Sequence, residues 1–331
     1  MLSHLRIAVV GATGLVGQEF LRLCIERGID PSKISWLASD RSAGQALEVD
    51  GVKVPIQPLS TFDFHSVQVA FFTAGGKVSE DWAPLAEQAG CWVIDNTSFF
   101  RQQEDISLVI PEINGCELKS TRRRIVANPN CSTIQMLMAL APLESLSPIQ
   151  RVVVSTYQSV SGAGRLAVQE WQAQVHGSRS AEILSHPLEG NVIPKIDVFL
   201  PGGGSKEELK MVQETHKIMR RNIPVTATCV RVPVFRGHSE AVAFQLCEPL
   251  NVADLVAALN SFPGVVVEER EDHFVTPLDI VGRDEVFVSR LRKDPSVPCG
   301  YQMWVVADNL RKGAALNSWQ ILEELVRLGR A

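Results

Sequence analysis

Residues 5–17 read Leu5-Arg6-Ile7-Ala8-Val9-Val10-Gly11-Ala12-Thr13-Gly14-Leu15-Val16-Gly17, an apolar run that breaks into three evenly spaced glycines. Strand, glycine turn and helix in this order open a dinucleotide-binding unit. The glycines permit a tight turn and let backbone N–H groups approach a pyrophosphate at the N-terminus of the helix expected over residues 18–27. The spacing is GxxGxxG, a variant of the commoner GxGxxG. Further apolar runs at 34–38, 67–73, 92–95 and 125–127 are separated by helical or loop segments. They predict a mostly parallel sheet covered on both faces, hence an α/β, Rossmann-type doubly wound fold.

At 331 residues the chain exceeds one ordinary core and fits two domains. Its 45% hydrophobic and 21% charged residues are those of a soluble globular protein. A net charge of -5 argues against nucleic acid or an anionic membrane as the main partner. No apolar run is long enough to span a bilayer, and the N-terminus enters a strand without signal-peptide character. Seven cysteines, at 24, 91, 116, 131, 229, 247 and 299, form no CxxC pair and no zinc spacing with histidine. They read as reduced thiols of a cytoplasmic protein with no bound metal.

Past residue 131 the texture changes. Segments 151–158, 225–232 and 241–246 alternate apolar and polar residues, which predicts half-buried, antiparallel strands of a second, α+β domain. The expected boundaries are 1–127 for the dinucleotide-binding domain and 128–310 for the second. The C-terminal helix 311–331 completes the first, its apolar stripe of Ala315, Trp319, Ile321, Leu322, Leu325 and Val326 packing back on it.

Cys131 stands where strand 125–127 breaks at Pro129 into an apolar helix reaching Leu143. A thiol at a helix N-terminus gains from unpaired N–H groups and the positive end of the macrodipole, both of which favour thiolate. A buried structural cysteine is the alternative reading. Tyr157-Gln158-Ser-Val-Ser161-Gly162-Ala-Gly164 ends a strand in a glycine-rich turn, by itself a solvated turn. Arg231 sits in an apolar strand, where a charge must be paired or bind an anion. His238 follows Gly237 in a turn and suits a general acid/base, or equally a turn histidine bonded to backbone. Glu207 and Lys210 share a helix face at i,i+3, which on spacing alone is a solvent-exposed ion pair.

Taken together, the motifs resemble the aspartate-semialdehyde dehydrogenase family, bacterial type. They are GATGLVG, LASDRSAG (37–44), DNTSFFR (95–101), VIPEIN (109–114), ANPNCST (127–133), STYQSVSGAG (155–164), NVIPKIDVF (191–199), EELK (207–210), CVRVPVFRGHSEAV (229–242) and WVVADNLRKGAALN (304–317). The resemblance runs nearly end to end. It implies an NADPH-dependent oxidoreductase that reduces 4-phospho-L-aspartate to L-aspartate 4-semialdehyde through a cysteine thioester. That reaction serves lysine, diaminopimelate, threonine, methionine and isoleucine biosynthesis. The resemblance further implies Cys131 as nucleophile, His238 as acid/base and Gln158 as the residue orienting the thioester. Arg231 and Glu207 are the implied contacts of the substrate α-carboxylate and α-amino group, and Arg101 and Lys210 the implied phosphate clamp. Implied NADP contacts are Gly11, Thr13, Gly14, Leu15, Val16, Ser39, Arg41, Ser42, Ser161, Gly162 and Asn309. A homodimer built through the second domain is also implied.

Two features qualify the match. Glu189-Gly190 precedes Asn191 where the family carries a bulky apolar residue, which affects local packing or subunit contact. Asp40 ends the second strand where an acid commonly binds the ribose of NAD, while Arg41 and Ser42 suit a 2′-phosphate. NADP is the expected cofactor and NAD stays open. Two alternatives remain, a reductase of N-acetylglutamyl phosphate and a non-catalytic paralogue. The paired Glu207 and Arg231 favour a free amino acid over an acetylated one, and the chain keeps both Cys131 and His238.

Overall fold

The computed structural model describes residues 5–331 and divides into two compact units. The first runs to Pro129 and takes in Ala314–Ala331; the second is Asn130–Gly313.

The first unit is an eight-stranded sheet: β1 Ile7–Val10, β2 Ile34–Ala38, β3 Ala46–Val49, β4 Val52–Pro58, β5 Val69–Phe72, β6 Trp92–Asp95, β7 Ser107–Leu108 and β8 Ile125–Ala127. The order is β3-β4-β2-β1-β5-β6-β8-β7, and every pairing is parallel except β3–β4. The strands β1, β5, β6 and β8 are buried at every residue, as parallel strands covered on both faces must be. Because β1 lies between β2 and β5, the chain winds outward in both directions from it. The glycine turn after β1 therefore opens at a topological switch point, where doubly wound sheets bind ligands.

Helix α1, Leu15–Glu26, packs Phe20, Leu21 and Leu23 on this sheet. Phe20 meets Phe71 with ring centroids 4.4 Å apart, and Phe71 stacks on Trp319 at 5.9 Å. Burying each such side chain stabilises by about 1.5–3 kcal/mol. Helices α2, Gly76–Gln88, and α3, Pro111–Asn114, complete the connections. The C-terminal helix spans Leu316–Arg327 after a π-helical turn, Arg311–Ala315. It buries Leu316, Trp319, Ile321, Leu322 and Leu325 in the first unit's core. Asn317 fixes it further, its side-chain amide donating to Val109 O at 3.0 Å and Asn128 Oδ1 at 2.7 Å.

The second unit holds a six-stranded mixed sheet in the order β10-β9-β11-β14-β13-β12. Its strands are β9 Ile149–Gln158, β10 Val225–Arg231, β11 His238–Leu246, β12 Val265–Val267, β13 Val286–Asp294 and β14 Gly300–Ala307. Its helices are α4 Cys131–Glu144, α5 Arg165–Val175, α6 Lys206–Met219, α7 Val252–Ser261 and the short α8 Pro277–Ile280. Helix α4 is apolar all round and packs between the sheet, α6 and α7. The opposite sheet face is more open, with Tyr157 and Ala241 exposed and Trp304 half-buried.

Two sequence expectations need correction. Strands β9 and β10 are parallel, not antiparallel, because the 66-residue interval between Gln158 and Val225 contains two helices and gives room for a crossover. Alternation reports one open face, not strand direction. His238 is the first residue of β11, not part of the preceding turn; Gly237, at φ +94°, makes that turn. The Gly190 departure lies in an exposed turn at φ +68° with nothing within 4 Å of where a side chain would begin.

Candidate active site

In the first unit the glycine turn is dictated by close approach. Gly11 has φ +95°, and a Cβ there would lie 2.6 Å from Thr73 Oγ1 and 2.8 Å from Ala74 N. A Cβ on Gly17 would lie 2.5 Å from Gly11 O. The N-cap of α1 is Gly14, which offers no side-chain cap, so the first N–H groups of the helix are left for an anion. These residues fit a dinucleotide pyrophosphate. Past β2, Ser39, Asp40 and Arg41 are exposed and Ser42 is half-buried. The Asp40 carboxylate accepts a hydrogen bond from Ser60 Oγ. Arg101, also in this unit, is buried and donates to Asn96 O at 2.9 Å.

The second unit gathers the remaining predicted residues. Cys131 is the first residue of α4 and half-buried. Its predecessor Asn130 caps the helix, Oδ1 accepting from Ser132 N at 3.0 Å and Thr133 N at 3.3 Å. The Asn130 backbone N–H donates to Glu214 Oε2 at 2.6 Å, and its side-chain amide donates to Glu207 Oε1 at 2.8 Å. Behind the thiol, Gly313 comes so near that a Cβ on it would lie 2.7 Å from Cys131 Cβ.

Glu207 and Lys210 do not form the surface pair that their spacing suggests. Glu207 is 4% exposed, and its carboxylate collects Asn130, Gln158 Nε2 at 3.3 Å and Lys210 Nζ at 3.0 Å. Burial alone would raise its pKa, but the Lys210 charge and these hydrogen bonds outweigh it and hold the carboxyl below its ordinary value. Lys210 also donates to Asp197 Oδ2 at 2.8 Å. Burial opposes its charge, yet the two carboxylates hold its pKa above the ordinary lysine value.

Arg231 is 5% exposed and ends β10 beside Gln158, donating to Ser159 O at 2.7 Å. Its pKa is lowered by burial, partly offset by the charges of Glu207 and Cys131. His238 is fully buried. Ser159 N–H donates to its Nδ1 at 3.1 Å, and Ser159 Oγ lies 3.0 Å from the same nitrogen. A backbone N–H can only donate, so in the neutral ring the proton sits on Nε2. Nε2 is buried without a partner and faces Gly162, where a Cβ would be 3.1 Å away. Burial, and then the Arg231 charge, push the imidazole pKa down to about 3. Asn309 Oδ1 accepts from Ser159 Oγ, Ser161 Oγ and Gly237 N at 3.1, 3.3 and 2.9 Å, which ties the predicted Ser161–Asn309 pair to the histidine turn.

Cys131, Gln158, Ser161, Gly162, Glu207, Lys210, Arg231, His238 and Asn309 thus belong to the second unit. Gly11, Thr13, Gly14, Leu15, Val16, Ser39, Arg41, Ser42 and Arg101 belong to the first. Sequence reasoning missed Asn130, Ser159, Asp197 and Glu214. An asparagine directly before an apolar helical run is a recognisable cap signal; the other three act through long-range contacts that leave no local trace.

A doubly wound nucleotide-binding unit, in one chain with a second unit that holds a helix-terminal thiol and a buried imidazole, is the make-up of a nucleotide-dependent oxidoreductase. Comparisons with known proteins narrow the class. Residues 6–121 match the family model described as semialdehyde dehydrogenase, NAD binding domain, and residues 140–312 match semialdehyde dehydrogenase, dimerisation domain. The chain is 46% identical to the aspartate-semialdehyde dehydrogenase of Shewanella sp. (strain DB6705) over 335 residues, covering 99% of each protein. It is 47% identical to that of Legionella pneumophila, covering 99% of this chain and 97% of the other. The crystal structure of aspartate semialdehyde dehydrogenase II from Vibrio cholerae complexed with ASA superimposes with a TM-score of 0.93, at 44% identity and 98% coverage of both chains. The chain belongs to the aspartate-semialdehyde dehydrogenase family. Its first unit binds a nicotinamide cofactor.

Proposed function

We propose that this chain reduces 4-phospho-L-aspartate to L-aspartate 4-semialdehyde with NADPH, releasing phosphate. The observation that carries the reading is the buried Glu207 carboxylate and Arg231 guanidinium in the unit of Cys131 and His238. An anion and a cation held side by side suit the ammonium and carboxylate of a free amino acid. An acetylated amine offers no positive charge to Glu207, which disfavours an N-acetylglutamyl phosphate substrate.

The Cys131 thiolate attacks the acyl carbon; the carbonyl π electrons move to oxygen, then return as the C–O bond to phosphate breaks and a thioester forms. Lys210 stabilises the departing phosphate dianion. Lys210 must share its ammonium with Glu207 and Asp197 to do so. NADPH, when bound, supplies the hydride that reduces the thioester carbonyl. Gln158 holds the thioester oriented, and His238 would donate its Nε2–H to the oxygen on which charge develops. Collapse of that oxyanion breaks the C–S bond and returns thiolate to Cys131. Arg231 is one of two causes that depress the His238 pKa, which keeps the imidazole neutral as the Nε2–H donor.

NADP is preferred to NAD in this reading. Arg41 and Ser42 follow β2 where a 2′-phosphate would arrive, and the Asp40 carboxylate is engaged by Ser60. Two copies pair through the open face of the β9–β11–β14 sheet. The enzyme works in the cytoplasm in this reading, supported by seven cysteines none of which is in a disulfide. The deciding experiment is the reverse assay, aspartate semialdehyde plus phosphate with NADP or NAD, against N-acetylglutamate semialdehyde as competing substrate. Turnover confined to the acetylated aldehyde overturns the reading.

A further inference from the structure

Lys210 must hold a phosphate dianion with an ammonium that two carboxylates already engage. Its Nζ donates to Glu207 Oε2 at 3.0 Å and to Asp197 Oδ2 at 2.8 Å. An ammonium has three donors, so one is left for a phosphate oxygen. The difficulty is charge. One cation against two anions leaves a negative excess before a dianion arrives, and anions that share a cation at contact distance repel one another.

The two carboxylates are held very differently. Glu207 lies in the first turn of α6 with its side chain 6% exposed, and its other oxygen accepts from Asn130 and Gln158. It is built into the unit. Asp197 lies in no helix or strand, and its side chain is 31% exposed. Its segment is pinned at both ends, Ile193 bridging to Arg231 and Phe199 to Ser205, the N-cap of α6. Between those ends the Asp197 backbone has φ +66°, a left-handed conformation that is costly for a residue with a Cβ and that Asp and Asn tolerate best. Its Oδ1 accepts from Val198 N at 2.9 Å, which supports that conformation. Backbone strain of this kind clusters at ligand clamps and switch segments. Of the two anions on Lys210, Asp197 is the one that can leave.

We propose that Asp197 is an internal competitor for the phosphate-binding ammonium: its carboxylate holds Lys210 in place of the dianion, is displaced when the substrate's phosphate seats there, and returns as inorganic phosphate leaves. The inference deepens the proposed function and rests on Lys210 meeting the phosphate. Only ion pairs are exchanged, so no covalent bond or proton has to move. The exchange keeps a largely buried ammonium paired between turnovers, and it limits the affinity for the product phosphate so that the site empties.

Asp197→Asn in the full-length enzyme removes the charge and keeps the shape, the tolerance of a left-handed backbone and an oxygen for the Val198 N–H. In the reverse direction, with aspartate semialdehyde and NADP, the KM for inorganic phosphate is expected to fall by about fivefold, the scale of one unit charge removed at roughly 4 Å in a water-like medium. The KM for aspartate semialdehyde should stay near wild type. In the forward direction the inhibition constant of inorganic phosphate should fall by the same factor. A residue that merely shaped the loop or aimed the lysine would do the opposite, since its loss can only weaken phosphate binding. A phosphate KM that is unchanged or raised in Asp197→Asn therefore overturns the proposal. Lys210→Ala reports on the reading beneath it. A raised phosphate KM in that variant supports the lysine as a phosphate contact whatever Asp197 does, and an unchanged one removes the lysine from the phosphate and overturns the competition with it.

Discussion

The side-chain amide of Asn130 donates to Glu207 Oε1 at 2.8 Å, while its Oδ1 receives the backbone N–H groups of Ser132 and Thr133. One side chain thus caps the helix that begins with Cys131 and orients the carboxylate proposed to hold the substrate ammonium. Asn130→Ala removes both functions. Loss of the cap costs about 0.5–2 kcal/mol of stability. Glu207 loses one of its donors as well, so the KM for aspartate semialdehyde rises. Thermal unfolding and reverse-direction kinetics check the two effects separately; an unchanged KM would leave Asn130 as a cap alone.

Cys131→Ala abolishes turnover and leaves NADP affinity close to wild type, because the thiol belongs to the second unit and the Gly11–Gly17 turn to the first. Iodoacetamide should alkylate Cys131 well ahead of Cys24, Cys91 and Cys229. These three are buried, and burial lifts the Cys24 and Cys91 thiols to about 12 and Cys229 higher still. Peptide mapping after a brief alkylation decides the order. Hydride transfer by the alanine variant would remove the nucleophile assignment.

The first unit was legible because its signals are local. Fully apolar strands and a glycine turn at a switch point leave few alternatives, and 34–38, 92–95 and 125–127 coincide with β2, β6 and β8. In the second unit, alternation located β9, β10 and β11 but carried no information on direction, which the long connection through α5 and α6 determines. The spacing of Glu207 and Lys210 spoke for a surface pair because spacing cannot report burial. What buries Glu207 is Asn130 and Gln158, respectively 77 and 49 residues away in sequence. The glycine before His238 suggests a turn residue, yet His238 opens β11, where Ser159 fixes its ring.

Arg41 bears the cofactor prediction. If its guanidinium meets the 2′-phosphate, Arg41→Ala lowers kcat/KM for NADPH by about tenfold or more, the scale of one charge-assisted contact, and leaves NADH nearly unaffected. The residue is exposed, so folding is not at risk. Equal losses with both cofactors would make Arg41 structural.

The open face of the second sheet carries the assembly prediction. Tyr157 is 38% exposed and packs against Trp304 with ring centroids 5.5 Å apart, next to the exposed Ala241. A charge on Ala241, as in Ala241→Glu, should shift the enzyme from dimer to monomer in sedimentation velocity, since an unpaired charge at an apolar interface is strongly disfavoured. A dimer that persists in this variant at low protein concentration would place the contact elsewhere.

His238 couples catalysis to stability. Its pKa, about 3, lies below the 6.5 of an unperturbed imidazole, so the folded protein holds the ring neutral where the unfolded chain would protonate it. That contribution is fully present above pH 6.5 and is lost as pH falls towards 3, at up to about 1.4 kcal/mol per pH unit. In His238→Asn the loss disappears, so the stability gap between variant and wild type changes with pH only below about 6.5. Catalysis should respond in the other direction. Asparagine keeps similar volume, and its side chain can bond Ser159, but it presents no Nε2–H to the reacting oxygen. Hence kcat should fall by a hundredfold or more, within the roughly 10²–10⁴-fold range of general acid–base catalysis, with KM little changed. The limb of the pH–rate profile that reports the histidine should flatten. Urea unfolding from pH 4 to 8 and initial rates over the same range test both halves. A variant with wild-type kcat and an unaltered profile would return His238 to a structural role and leave the thiohemiacetal oxygen to another donor.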